Sequence, residues 1–330
     1  MRAAGILLGL GIAAGALAQP VPTTIPIPGG DGGVGFDDLR YSRALGHVIV
    51  PAGNTGSIVL VEPGTWSLAR IGALGEPTTY GGGHDAGVTS ADEGRGFLFA
   101  ADRGAGRLLV VDWKDGRVVA SARIAGSPDY VRYVEPTGEV WVTEPDQDRI
   151  EVFHLEGNPP RPVHDDFLDV AGGPESLVVD TARGRAYTNL WKGETVALSI
   201  KNRGRIGKWS NGCEGSRGLA LDLERGFVFV GCAEGAGVTL DARNGKILGR
   251  LKAGAGIDVI DYSPSLGHLY LPGGKSATMA VAEVSSTGAL TLRDEVPTAT
   301  GSHCVAVDAS GHAYVCDPKG GRILVFSDAR

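Results

Sequence analysis

An all-β fold built from seven similar units is what this sequence predicts, on three observations. First, a glycine opening a Gly-x-apolar-x-apolar run recurs in "SRALGHVIVPAG", "DEGRGFLFAAD", "EPTGEVWVTEP", "DTARGRAYTNL", "DLERGFVFVGC", "SPSLGHLYLPG" and "DASGHAYVCDP". These glycines are Gly46, Gly96, Gly138, Gly184, Gly226, Gly267 and Gly311, a period of about 44 residues and thus of repeat-protein length. Second, apolar residues inside each unit alternate at period two, and helical periodicity is nearly absent. Third, each unit holds four such runs. Four short antiparallel strands at this period make a β-propeller blade, and one blade cannot bury both of its faces alone. The predicted architecture is therefore a ring of seven four-stranded antiparallel blades, closed by an N-terminal strand.

The elements follow in order. The opening "MRAAGILLGLGIAAGALAQP" carries one basic residue, Arg2, then a short charge-free run ending in a small-x-small site at Ala16 and Ala18. This is the pattern of a secretory signal over residues 1–18 rather than of a membrane anchor. The rest, 19–330, would suggest two domains by length, but the repeats override that prior and make it one propeller. The mature chain is expected in the periplasm or secreted, with no membrane insertion. Its formal charge of -7 becomes -8 without Arg2, and it has no basic run. This argues against nucleic acid and anionic membranes as partners.

Residues 215–254 show the unit most cleanly: "LALD", a turn at "LERG", "FVFVGC", a Gly-rich loop, "GVTLDA", a turn at "RNGK" and "ILGRLKAG". Asp and Gly supply the backbone geometry of the reversals. The seventh unit has "CVAVD", "HAYVC" and "RILVFS" but no fourth strand before Arg330. The segment "TTIPIP" at 23–28 precedes the first unit and is expected to supply it, since an open edge would invite aggregation.

The cysteines fall into local pairs. If Asp308 faces His312 across the turn "DASGH", the same register sets Cys304 opposite Cys316 on one face of the sheet, within disulfide reach. Cys213 precedes the inner strand of unit five and Cys232 ends its second strand, so both lie at one end of that blade. Two local pairs in an exported chain read as two disulfides. A redox or soft-metal site using His303 lacks the CxxC or CxxxxH spacing that would support it.

The units "LVVDTARGRAYTN", "VAVDASGHAYVCD", "RLLVVDWKDGRVVASARIAG" and "GVTLDARNGKILGRLKAG" resemble the YVTN repeat, a bacterial and archaeal relative of WD40 and NHL propellers. The resemblance spans residues 22–330. It implies the fold, and leaves activity open among binding platforms, dehydrogenase subunits and lactonase-like enzymes. Quinoprotein propellers fit poorly, because Trp66, Trp113, Trp141, Trp191 and Trp209 share no repeat position.

In a propeller, side chains reach a ligand from the loops where inner strands begin. Those starts read "GFDD", "GGHDAG", "SPDY", "GPES", "GSRG", "GIDV" and "GSHC". They offer Asp37, His84 with Asp85, Asp129, Glu175, Arg217, Asp258 and His303, with insertions leaving the register open at His84 and Asp129. Polar loops alone would explain the polarity but not why five of the seven share the third position of a G-x-polar motif. Loops between second and third strands add Asp102, Glu144, Trp191, Lys192, Glu234, Lys275, Asp317 and Lys319 as a mixed-charge, mostly solvated rim.

Two functions fit this mouth. One is a binding or scaffold propeller gripping a small polar ligand or a periplasmic protein partner. The other is a divalent-metal-dependent lactonase- or esterase-like hydrolase, in which Asp37, Asp85, Glu175 and Asp258 would hold Ca²⁺ or another divalent cation. Gluconolactonase-like and paraoxonase-like propellers use a Glu, Asn and Asp set for this. Here the ring has no Asn, and Arg217 would repel a metal, so binding is the favoured reading. No G-x-S-x-G elbow supports acyl transfer.

Overall fold

The computed structural model describes residues 21–328, and the expected signal segment 1–18 lies outside the described residues. The described strands form seven four-stranded antiparallel sheets. Blade one runs Arg40–Ser42, His47–Pro51, Ile58–Val61 and Leu68–Ile71. Blades two to six occupy 88–123, 131–169, 178–210, 216–252 and 261–297. Blade seven runs outward from Val305–Val307 through His312–Asp317 and Arg322–Ser327, and its outermost strand is Thr23–Pro26. Among the described residues no helix is long and apolar enough to cross a membrane.

The recurring glycines mark the turn between first and second strands. All seven have positive φ, from 63° to 88°, a region that costs other L-residues strain. A Cβ at Gly46, Gly96, Gly138 or Gly184 would meet nothing within 4 Å, so conformation rather than space demands glycine there. Asp180 and Asp222 support the same turn, each accepting through Oδ1 from the backbone N–H three residues on, at 3.0 and 2.9 Å.

Period-two alternation gives each blade two apolar faces, and the cores lie between successive blades. Leu98 and Ala100 pack with Ile49 and Leu60 of blade one, while Phe99 and Ala101 pack with Val140 and Val142 of blade three. Likewise Leu269 and Leu271 face Phe229 of blade five, and Tyr270 faces Val305 and Val315 of blade seven. Every blade thus depends on both neighbours, and the last must meet the first. The N-terminal strand makes that join: Thr23 pairs with Val325 and Pro26 with Arg322, and the Ile27 N–H donates to Gly321 O at 2.9 Å. Ile25 and Ile27 are buried between blades seven and one. Pro26, lacking an N–H, is tolerated because this strand is an edge.

A polar clasp ties the inner strands of the first three blades. Arg132 of blade three forms a buried bidentate pair with Asp38, through Nη1 at 2.6 Å and Nη2 at 2.9 Å. Ser90 of blade two donates to the same carboxylate at 2.6 Å and accepts from the Val131 N–H at 2.9 Å. Breaking such a pair would leave an uncompensated buried charge, which costs several kcal/mol.

The cysteine register holds. Val305 pairs with Val315 and Val307 with Ala313, which sets Cys304 opposite Cys316 with Cα atoms 5.6 Å apart and the sulfurs bonded. Cys213 is bonded to Cys232, with an S–S distance of 2.02 Å.

Deleting residues 19–30 is expected to strip the outer edge of Arg322–Ser327 and expose Ile323 and Val325. The truncated protein should aggregate on gentle heating, as measured by light scattering. A truncation as soluble and as thermally stable as the parent would contradict closure by this strand.

Candidate functional site

Backbone bonds between adjacent strands and blades set the start of each inner strand. The Asp38 N–H donates to Thr89 O at 3.1 Å, Gly218 N–H to Asp258 O at 2.7 Å, and Val259 N–H to His303 O at 3.0 Å. Within blades, Asp129 and Glu175 N–H groups donate to Thr143 O and Asn189 O, both at 2.9 Å. With the backbone fixed in this way, one polar side chain per blade is delivered to the same mouth of the channel.

The structure gathers seven of the eight predicted residues into two linked groups. Asp37, His84 and Asp129 surround a residue the repeat alignment did not single out, Arg103. Its Nη2 donates to Asp129, its Nε donates to Pro128 O at 2.8 Å, and it lies 3.7 Å from Asp37 Oδ2. His84 Nδ1 stands 3.2 Å from Asp37 Oδ2 and 2.8 Å from Arg103 Nη1. In the second group Glu175 accepts from Trp191 Nε1 and lies 3.5 Å from Arg217 Nη1. Asp258 joins the two: its carboxylate and one ring nitrogen each of His84 and His303 all lie within 4.8 Å of one another, and it acts electrostatically with Glu175 and Arg217.

Crowding decides which of these groups is charged. Burial pushes the Asp37 carboxyl up, but His84, Arg103 and His303 outweigh it and hold it well below the usual carboxylate range. Asp37 in turn raises His84 to about 10, against the opposing effect of burial. Burial and the Asp37 charge push Asp129 well above the ordinary value despite Arg103. Burial and then Asp258 raise Glu175 to about 7, with Arg217 and Trp191 only partly offsetting them. Asp258 is raised too, chiefly by burial, with His303 acting against it. The mouth therefore holds one firmly ionised acid beside cations and several acids short of positive charge.

One expectation needs correction. Asp85 does not join the ring: its side chain is 93% exposed and only approaches Arg103 at 3.9 Å. Insertion turns its loop outward, so Asp37, Asp85, Glu175 and Asp258 do not converge as one metal set. The rim is mostly solvated as expected, with three exceptions: Asp102, Glu144 and Asp317 are buried, Asp102 and Asp317 capping their own turns and Glu144 reaching back to the loop that opens its blade. They accept from Ala105, Gly126 and Gly320 N–H groups at 3.0, 2.8 and 3.0 Å. Trp191, Lys192, Glu234, Lys275 and Lys319 are exposed as expected. Arg103 was legible only as one of several basic residues in these loops, beside Lys192, Lys275 and Lys319.

A cavity of about 200 Å³ adjoins His84 and Asp85, lined by Gly35, Asn54 and the glycines 81–83. A larger cavity, about 950 Å³, is lined by Asp38 and Arg132 and extends to Arg43, Glu224 and Ser265.

The fold recurs in solved structures. A chain of the mitotic checkpoint complex aligns with TM-score 0.75 at 12% identity, covering 99% of each chain. The β-propeller domain of Myceliophteria thermophila Cps50 (Swd1) aligns with TM-score 0.73 at 13% identity, over 93% of this chain and 99% of that one. A streptogramin B lyase aligns with TM-score 0.70 at 11% identity, over 92% and 96%. At such identities the likeness is one of fold. No family model and no curated protein matches the chain, so the YVTN resemblance stands on the repeat motifs alone.

The raised carboxyl of Glu175 makes a signed prediction. A carboxyl that ionises near 4.5 when unfolded but near 7 when folded weakens the fold as pH rises through that window, by up to about 3 kcal/mol. Between pH 4.5 and 7.5 the wild-type melting temperature should therefore fall more steeply than that of Glu175→Gln. Parallel curves for the two proteins would contradict the shift.

Proposed function

We propose that this chain is an exported binding propeller. Its charged mouth takes a small polar ligand carrying a cationic or donor group at one end and an anionic or carbonyl group at the other. One observation carries the reading: Asp37 Oδ2 and Arg217 Nη1 are both buried without a hydrogen-bond partner, although each stands near an opposite charge. Folded proteins rarely leave such atoms unpaired. An acceptor and a donor orphaned at one mouth suit the two ends of one ligand. The carboxyls of Asp129, Glu175 and Asp258, raised for want of positive charge, favour a cationic group near Asp37 and Asp258. Arg217 favours the acceptor end. Two disulfides agree with an oxidising, extracytoplasmic compartment. The hydrolase reading is weaker, because its carboxylate set is not gathered.

Melting shifts and calorimetry with free amino acids, their amides and their N-acyl derivatives test this reading. A zwitterion should stabilise the protein most, and forms lacking either charge less. Asp37→Asn and Arg217→Gln should each weaken binding about 10- to 100-fold, the usual worth of a hydrogen bond to a charged group. Failure of every compound to shift the melting point, with capture of a protein partner that the same substitutions abolish, would replace the small ligand by a protein surface.

A further inference from the structure

Two histidines at the mouth have hydrogen-bonding arrangements that the ligand reading leaves unused. His303 Nδ1 lies 2.6 Å from Gly301 O and its Nε2 lies 3.2 Å from Phe36 O. Both partners are carbonyl oxygens, which only accept. With its proton committed to the shorter Nδ1 bond, neutral His303 turns a lone pair on Nε2 toward the lone pairs of Phe36 O. Either a second proton or a metal cation must reconcile them. His84 presents Nδ1 to two groups of opposite demand, the Asp37 carboxylate at 3.2 Å and the Arg103 Nη1 donor at 2.8 Å. Its ring stacks on that of His303, 5.8 Å between centroids. A ring nitrogen held by a backbone carbonyl, as His303 Nδ1 is by Gly301 O, is the usual second-sphere pattern of a metal-binding imidazole.

We propose that His84, Asp258 and His303 bind one first-row divalent transition-metal ion at this mouth, with Phe36 O beside it. The three donor atoms already lie within 4.8 Å of one another. Tetrahedral metal–nitrogen and metal–oxygen bonds of about 2.0–2.2 Å place donors roughly 3.4 Å apart, so rotation of the side chains closes the set. Two imidazoles and one carboxylate suit Zn²⁺, Co²⁺ or Fe²⁺ rather than Ca²⁺, which takes six to eight oxygens. Arg103 Nε and Nη2 are held by Pro128 O and Asp129, but its Nη1 stands 2.8 Å from His84 Nδ1. Cation binding therefore requires Nη1 to turn away so that His84 Nδ1 donates to Asp37, and it displaces the second proton from His84 Nε2. The proposal rests on the mouth being the functional site but not on the identity of the organic ligand.

The test titrates Co²⁺ into chelator-stripped, tag-free protein with both disulfides intact, reading the visible bands of four- or five-coordinate cobalt. Wild type should bind one equivalent that Zn²⁺ displaces. Substitutions His84→Gln, Asp258→Asn and His303→Gln should each abolish the bands. Asp37→Asn should weaken binding about 10- to 100-fold, the usual effect of losing a second-sphere partner. Asp85→Asn and Glu234→Gln should leave binding unchanged. A silent titration of folded wild type, or bands that survive His303→Gln, would overturn the metal site. Neither result would touch the ligand-dependent melting shifts.

Discussion

Closure of the ring is the constraint on which everything else in this structure depends. Each blade has two apolar faces and can bury them only between two neighbours, so seven units are stable together in a way that no single one is. The join falls at blade seven, where Thr23–Pro26 completes a sheet whose other strands come from the far end of the chain. The join also fixes the mouth. Asp37 follows the closing strand by a short loop, and its partners arrive from blades two, three, six and seven only because the ring has a definite circumference. The Asp38–Arg132 clasp adds a polar check on that geometry inside the channel.

The mouth departs from the economy of the rest of the molecule. Away from the mouth several buried acids are matched by a single arginine: Asp317 by Arg322, Asp222 by Arg225 and Asp38 by Arg132. At the mouth, carboxyls from four blades meet two arginines and two histidines, and Asp129, Glu175 and Asp258 are pushed toward their neutral forms. A fold gains nothing from this concentration of charge. Where local consistency fails in an otherwise consistent structure, function is the usual reason.

Much of the architecture was legible because it repeats. Gly46 and its six counterparts mark a turn that needs positive φ, and seven occurrences fix both the blade count and the strand order. The disulfides were legible from register, since Asp308 and His312 define which residues face each other. The site was only partly legible, because insertions break the repeat where function is built. His84 and Asp85 are neighbours in sequence, yet one turns inward and the other out. Arg103 lay hidden because the basic residues in the corresponding loops of other blades, Lys192, Lys275 and Lys319, face solvent. Asp38 and Arg132 are 94 positions apart, and nothing in the repeat announces that they meet.

The claim that this mouth is built for a ligand rather than for the fold is tested most directly by removing its charge without changing its shape. Thermal unfolding of Glu175→Gln combined with Asp258→Asn, in metal- and ligand-free buffer near neutral pH, measures what those carboxylates contribute to the empty protein. The account predicts a melting temperature equal to or above that of wild type, because repulsion and desolvation are relieved. A fall of several degrees would show that the carboxylates hold the strand starts in place, and would contradict a functional mouth.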